Sequence, residues 1–283
     1  MQSDQIETFL DLCDSRSFNR TAERLGITQS TVSARIAALE TSLDARLFNR
    51  SRAGTDLTVE GHRFAPHART LRHQWNEARR HVRVPGRAGA GLRIGIQNDL
   101  AARYIGTWIA DFRRALPDTA FYIEADYSAQ MCADLLTGLQ DFAVLFTPKA
   151  HPDLHFSPLG EVSYRMISRT ARARAAVDPD SYILADFSPA FEAMHRDLLP
   201  EFTAAPVSVG QSTTVAALLQ TLGGAGYVLD AAAQPLLSTG GLHLVEDAPV
   251  LRQPVFAATH LRHRTAPVHR RLTRIVQRTL TPR

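Results

Sequence analysis

Apolar positions recur with helical spacing through the first eighty residues. Ile6, Phe9, Leu10 and Cys13 fall at i, i+3, i+4 and i+7, which predicts a first helix running to about Arg16. Phe18, Ala22 and Leu25 repeat a helical stripe, Gly26 interrupts it, and Val32, Ile36 and Leu39 resume it, so two short amphipathic helices face each other across a glycine. That is the helix-turn-helix pattern. Leu47 and Phe48 then anchor a basic, glycine-containing segment from Asn49 to Asp56 that closes on Leu57, which predicts a short hairpin, or wing.

From Thr58 onward Phe64, Ala68, Leu71, Trp75, Ala78 and Val82 alternate at spacings of four and three, a heptad seam. A helix over 59–82 would span roughly 36 Å, too long and too exposed to stand alone, so the seam is predicted to pair with its copy in a second subunit. The competing reading folds the helix back onto its own domain; Trp75 on the seam argues for a large buried contact. Paired helices would place two recognition helices about 34 Å apart on one duplex face and favour a partly palindromic operator.

Beyond VPGRAGAG (84–91), a linker by composition, the pattern changes to alternating strands and helices. Strands are predicted at Leu92–Ile96, Ala120–Ala125, Ala143–Phe146, Tyr164–Ser168, Tyr182–Leu184, Val207–Val209, Tyr227–Leu229 and Val255–His260. Helices are predicted at Tyr104–Leu116, Ala129–Leu139, Phe191–Leu199, Thr214–Leu222, Ala231–Leu237 and Val268–Leu280. Such alternation argues for parallel sheets covered on both faces and, at this length, for two lobes with a cleft between them. The fold class is α/β behind a winged helix-turn-helix: residues 1–58 for the winged module, 59–83 for the linker helix, 84–91 for a hinge and 92–283 for the α/β domain. Its first lobe is expected over 92–160 and 255–283, its second over 161–254.

Charge sharpens this division. The 283 residues carry a formal net charge of +4, and all of that excess lies in residues 1–91, where fourteen arginines face ten acids. A basic front portion is the electrostatic footprint of a protein that approaches phosphates. The opening MQSDQIETFL has no basic segment leading into an apolar one, and no apolar run approaches the ~20 residues of a membrane helix, so a cytoplasmic protein without membrane partners is expected. Cys13 and Cys132 lie far apart without metal-ligand spacing, which favours buried free thiols and no metal. His260, His263 and His269 read as exposed polar positions rather than ligands.

The face opposite Val32, Ile36 and Leu39 carries Ser30, Ala34 and Ala37, flanked by Thr31, Ser33 and Arg35. Small side chains let a helix backbone sit deep in a major groove, and the hydroxyls, the Gln29 amide and the Arg35 guanidinium supply donors and acceptors for base edges and phosphates. Thr28 is the expected N-cap. Arg50 and Arg52 on the wing could reach the backbone or an adjacent minor groove.

Residues 6–82, including AERLGITQSTVSARIAALE, LFNR, LT and the glycine at 61, resemble the N-terminal half of LysR-type transcriptional regulators in residue type, order and spacing; the wing and linker helix are most similar to the HdfR-like branch of that family. The remainder resembles the family's effector domain. The resemblance implies winged helix-turn-helix binding of double-stranded DNA, a two-lobed periplasmic-binding-protein-like (type II) fold with strands crossing between lobes near Leu159–Val162 and Pro254, homodimers that pair into tetramers, and transcription controlled by a small molecule, with RNA polymerase a candidate further partner and no cofactor. It places DNA contacts at Gln29, Ser30, Thr31, Ser33, Arg35 and Arg50. Many members carry Arg where this chain has Ala34, so the arginine is displaced to Arg35. Effector loops fall at Gln97, Asn98 and Asp99, at Ser128, at Thr147, and at Ser212 and Thr213, with dimerisation through Phe64, Leu71, Trp75, Ala78 and Val82.

Strand ends and helix N-termini at those loops suit a small polar or carboxylated compound, although Asp99 and Ser212 could equally serve as helix N-caps. A small-molecule enzyme or solute binder on a helical dimerisation module is the alternative. There is no GxSxG, Walker-type GKS or GKT, or HExxH, and the glycines of GGAG (223–226) follow a helix instead of preceding one.

Overall fold

A computed structural model describes residues 2–51, 54–83, 90–238 and 240–280. The chain divides into two compact units, an N-terminal one of residues 1–86 with Leu136–Leu139 and a C-terminal one of residues 87–135 and 140–283. Residues 84–89 of the expected 84–91 hinge, and Arg52, lie outside the described residues, and residues 90 and 91 belong to a strand.

The N-terminal unit contains α1 (Ser3–Ser15), α2 (Phe18–Leu25), α3 (Gln29–Leu43), a hairpin of β1 (Phe48–Ser51) and β2 (Gly54–Leu57), and α4 (Val59–Arg83). Its punctuation is local chemistry. Ser17 accepts from the Arg20 amide to start α2, Gly26 ends α2 in the left-handed conformation at φ 65°, and Thr28 accepts from the Thr31 amide to start α3. The predicted stripes close one core: Phe9 packs against Phe48 and Phe64 with ring centroids 5.3 and 5.1 Å apart, beside Val32, Ile36 and Leu39. Phe64 therefore packs within its own chain, contrary to its placement on an intersubunit seam. Ala68 is likewise fully buried, whereas Leu71 and Trp75, one and two turns further on, are 37 and 50% exposed. The seam turns from inward to outward along α4 because α1 covers only its first part.

The C-terminal unit is built on one sheet. In order come β3 (Ala90–Gln97), α5 (Asn98–Ala115), β4 (Thr119–Asp126), α6 (Ser128–Thr137), β5 (Phe142–Leu145), β6 (Leu154–Ser168), β7 (Tyr182–Ala185), α7 (Pro189–Leu198), β8 (Val207–Val209), α8 (Ser212–Thr221), β9 (Ala225–Leu229), α9 (Asp230–Ser238), β10 (His243–Leu244), β11 (Leu251–His260) and α10 (Pro267–Leu280). Strand order is β4-β3-β5-β11-β6-β9-β7-β8, with β10 paired to β6. The first lobe holds the parallel β4-β3-β5 set and the second the parallel β9-β7-β8 set.

Two differences from the sequence expectation bear on the site. The sheet is mixed: β6 and β11 pair antiparallel along their length, with an irregularity between Val255 and Phe256 opposite Gly160, whose φ is 131°. These are the two strands that cross between the lobes. Helix α5 begins at Asn98, six residues before its predicted start, so Asn98 and Asp99 belong to its first turn rather than to a loop. Both cysteines are free thiols, with Cys132 buried and Cys13 partly so. No helix among the described residues is long and apolar enough to cross a membrane.

Gly61 shows how tightly the wing is held to α4. A Cβ there would lie 2.2 Å from the Leu47 carbonyl oxygen and 2.8 Å from Leu57 Cδ2, and that same carbonyl accepts from the Thr58 amide. Gly61→Ala is expected to lower stability by about 1–3 kcal/mol despite the better helix propensity of alanine, because strand and helix must separate. A thermal melt of the variant beside the parent measures it.

Candidate functional site

On α3 the exposed positions are Gln29, Ser30, Ala34, Ala37, Ala38, Thr41 and Ser42, and along its first turns Thr31, Ser33 and Arg35 are partly exposed. Gln29 donates through Nε2 to Ser33 Oγ at 3.3 Å, and Thr28 Oγ1 lies 2.8 Å from both Ser30 Oγ and Thr31 Oγ1. The result is a shallow, uncharged polar face around a small apolar centre. Arg35 does not belong to it. Its guanidinium turns toward α1, pairing with Asp4 at 3.1 Å and donating to Thr8 Oγ1 at 3.3 Å. As the α3 wheel puts Arg35 beside the buried Val32–Ile36–Leu39 stripe, a long side chain there meets α1 first. Asp4, on the neighbouring helix, carried no sequence signal linking it to Arg35. On the wing, Arg50 occupies β1 opposite Thr55.

A groove of about 660 Å³ lies between α1 and α4, with Ile6, Leu71, Trp75 and Ala78 forming its apolar wall and Asp4, Glu7 and Arg72 its polar border. Val82 lies further along α4.

In the C-terminal unit the positions expected to meet an effector gather at the carboxyl ends of β3 and β5 and the N-termini of α6 and α8, but most of their polar atoms are committed to one another. Ser128 Oγ donates to Gln97 Oε1 at 3.0 Å and accepts from the amides of Phe146 and Thr147, both at 3.1 Å. Gln97 donates to the Phe187 carbonyl at 3.4 Å, joining the lobes. Ser212 Oγ accepts from the Leu229 amide at 2.8 Å. Thr213 is exposed, Asn98 half-buried, and Thr147 Oγ1 is buried without a partner.

Asp99 is the centre of this arrangement. It is 4% exposed; Oδ1 accepts from the Ser212 amide at 2.7 Å and Oδ2 from the Tyr164 hydroxyl at 2.8 Å. It caps no turn of its own helix. Instead a first-lobe carboxylate caps the N-terminus of α8 in the second lobe, where unpaired amides and the helix dipole favour an anion. Burial pushes its pKa up to about 6, opposed by the two donated hydrogen bonds, and burial with the neighbouring Asp99 charge drives Tyr164 well above the ordinary phenol range. Gln253 accepts from Ser188 Oγ at 2.7 Å within the second lobe and donates to the Phe146 carbonyl of the first at 3.5 Å, another cross-lobe link. Sequence reading found Asp99 and Ser212 but not Tyr164, Phe187, Ser188 or Gln253, whose parts depend on how the crossing strands bring the lobes together.

An effector carboxylate aimed at the α8 amides would meet Asp99 within hydrogen-bonding range, a repulsive contact. A group that donates hydrogen bonds to Asp99 would not. Among the described residues no set of His, Cys, Asp and Glu side chains could hold a metal.

Residues 3–62 match the model of bacterial regulatory helix-turn-helix proteins of the lysR family, and residues 86–281 match the LysR substrate binding domain. The HTH-type transcriptional regulator HdfR of Salmonella schwarzengrund is 26% identical over 261 residues, 91% of each chain. Among solved structures, ArgP from Mycobacterium tuberculosis superposes with a TM-score of 0.60 at 20% identity over 99% of this chain and 98% of its own. A full-length OxyR variant from Pseudomonas aeruginosa gives 0.58 at 21% identity over 98 and 95%. With a polar recognition face on the second helix of a helix-turn-helix and a two-lobed domain whose strand ends converge on a helix N-terminus, this chain belongs to the LysR family and is a DNA-binding transcriptional regulator with an effector domain.

Proposed function

We propose that residues 1–58 read double-stranded DNA through Gln29, Ser30, Thr31 and Ser33, with Arg50 and Arg52 of the wing on the sugar-phosphate backbone. Residues 59–83 join two subunits, 84–89 act as the hinge, and 90–283 sense the effector. The chain works in the cytoplasm as a regulator without catalytic activity of its own. The observation that carries the DNA reading is the exposed face of α3, small at its centre and polar at its rim, which lets a backbone approach base edges closely. Arg35 has a positioning role, tying α3 to α1 through Asp4 and Thr8.

Two copies meet through the α1–α4 groove. Trp75 and Leu71 are large apolar side chains left half-exposed on one wall of it, and burying them against a second α4 recovers about 1.5–3 kcal/mol for each. Pairs of such dimers form the tetramer. Val82 extends the same seam.

The effector enters between the lobes, where the Asp99–Ser212 bond holds them together. A small polar molecule that offers donors to Asp99 fits this chemistry better than a carboxylated one. Gln97, Asn98, Ser128, Thr147 and Thr213 line its approach, and the sign of transcriptional control follows from which lobe arrangement it stabilises.

In gel retardation with DNA upstream of its own gene, affinity is expected to fall with added salt, and Arg50→Ala to reduce the slope of log affinity against log salt by about one. Ser30→Asp, which brings a carboxylate to the groove face, is expected to weaken retardation at least tenfold with the mass in solution unchanged. Retardation equal to the parent would sink the assignment of α3. Trp75→Ala combined with Leu71→Ala is expected to give monomers by light scattering.

Asp99 makes a prediction with a defined sign. Its pKa is higher folded, about 6, than unfolded, so the native state holds the extra proton between about pH 4 and 6 and stability declines as pH rises through that window. Asp99→Asn keeps an acceptor for the Ser212 amide and removes the buried charge. The variant is expected to gain about 2–3 kcal/mol over the parent between pH 4 and pH 7 in paired denaturant titrations, and parallel pH profiles would show that Asp99 is not the group concerned.

A further inference from the structure

Buried polar side chains outside the Asp99 arrangement include two histidines and two glutamines. His260 and His269, expected at the surface, are only 8 and 7% exposed, and His269 Nε2 meets the Asp141 carbonyl at 3.1 Å within the first lobe. Gln97 at the end of β3 and Gln253 in β11 are buried more deeply and meet the seam between the lobes, one from each side.

Each glutamine is aimed by a serine of its own lobe. Ser128 Oγ already accepts from two amides, so its hydrogen goes to Gln97 Oε1, and this turns Gln97 Nε2 toward the Phe187 carbonyl of the second lobe at 3.4 Å. Ser188, the N-cap of α7, accepts from the Phe191 amide and donates to Gln253 Oε1. Gln253 Nε2 is thereby turned toward the Phe146 carbonyl of the first lobe at 3.5 Å, and lies 3.2 Å from the Pro254 carbonyl. The two halves share one plan with the direction reversed: serine hydroxyl, glutamine amide, phenylalanine carbonyl across the seam. All six residues are at most 7% exposed.

We propose that Gln97 and Gln253 form a reciprocal clasp that holds the lobes closed and gives way first when they part. The bonds that cross the seam are 3.4 and 3.5 Å long, against 2.7–3.1 Å for the serine bonds, and hydrogen bonds weaken with length. Opening therefore breaks one amide–carbonyl bond from each side and leaves each serine–glutamine pair assembled, aimed to close again. An amide freed in this way meets water, so the open state is not penalised by an unmatched donor. Because its groups are neutral, the clasp is insensitive to salt, unlike the DNA contacts. It deepens the effector reading and rests on it in one respect: the lobe arrangement that the clasp fixes is the one an effector shifts.

The Asp99–Ser212 bond crosses the same seam, so exchange of the Ser212 amide with solvent reports opening. Hydrogen exchange of the full chain is therefore the test, with Gln97→Met and Gln253→Met, which keep side-chain length and remove the donor. Each is expected to speed Ser212 exchange at least fivefold, while amides inside the β3–β5 and β6–β9 pairings exchange as in the parent. Ser212 exchange equal to the parent in either variant, or acceleration of all amides alike, would overturn the clasp. If a methionine variant does not fold, Ser188→Gly keeps a good N-cap for α7 and leaves Gln253 unaimed. It is expected to speed Ser212 exchange at least twofold, and no change overturns the proposal. Gel retardation by the same variants distinguishes the clasp from the effector reading: faster Ser212 exchange with DNA affinity equal to the parent keeps the clasp and removes the link from lobe arrangement to DNA.

Discussion

The antiparallel pairing of β6 with β11 is the constraint on which the C-terminal unit depends. The two strands run side by side from Leu154 opposite His260 to Tyr164 opposite Leu251, and their first and second halves belong to different lobes. A ladder of that kind holds both lobes in register while allowing a bend at the irregularity opposite Gly160, where the left-handed φ requires glycine. On one side it carries β5 and on the other β9, so each parallel set is hung from a shared spine. Everything that meets between the lobes, including Asp99, Tyr164, Ser212 and Gln253, is placed by it.

Against that spine, Asp99 is costly and informative. Removing a carboxylate from water is unfavourable, and burial outweighs the two donated hydrogen bonds, pushing the pKa up to about 6. A strained or poorly solvated charge at a convergence of strand ends is where a ligand has most to gain by displacing or pairing it. The Ser128 hydroxyl, with one donated and two accepted hydrogen bonds, is by contrast fully satisfied. Its role is to hold the ends of β3 and β5 and the start of α6 together.

The N-terminal unit reaches its form through more local means. A serine cap, a glycine stop and a threonine cap set α2 and α3 at their angle, and a ring of phenylalanines from α1, the wing and α4 fills the space beneath. The polar face of α3 is left outward as a consequence of which stripe is apolar.

The sequence by itself determined the helices of the front portion, the wing, the long linker helix, the strand-helix alternation behind it and the family, because each rests on spacing, caps and charge that act within a few residues. It also located Gln97, Asp99, Ser128 and Ser212 near strand ends. Only the tertiary structure decided what those side chains do. Asp99 reaches across 113 positions to the Ser212 amide, Arg35 across 31 to Asp4, and His269 Nε2 across 128 to the Asp141 carbonyl. Periodicity reports which face of an element is buried but not which other element buries it, so partners distant in sequence, and the protonation states they impose, emerge only when the chain is folded.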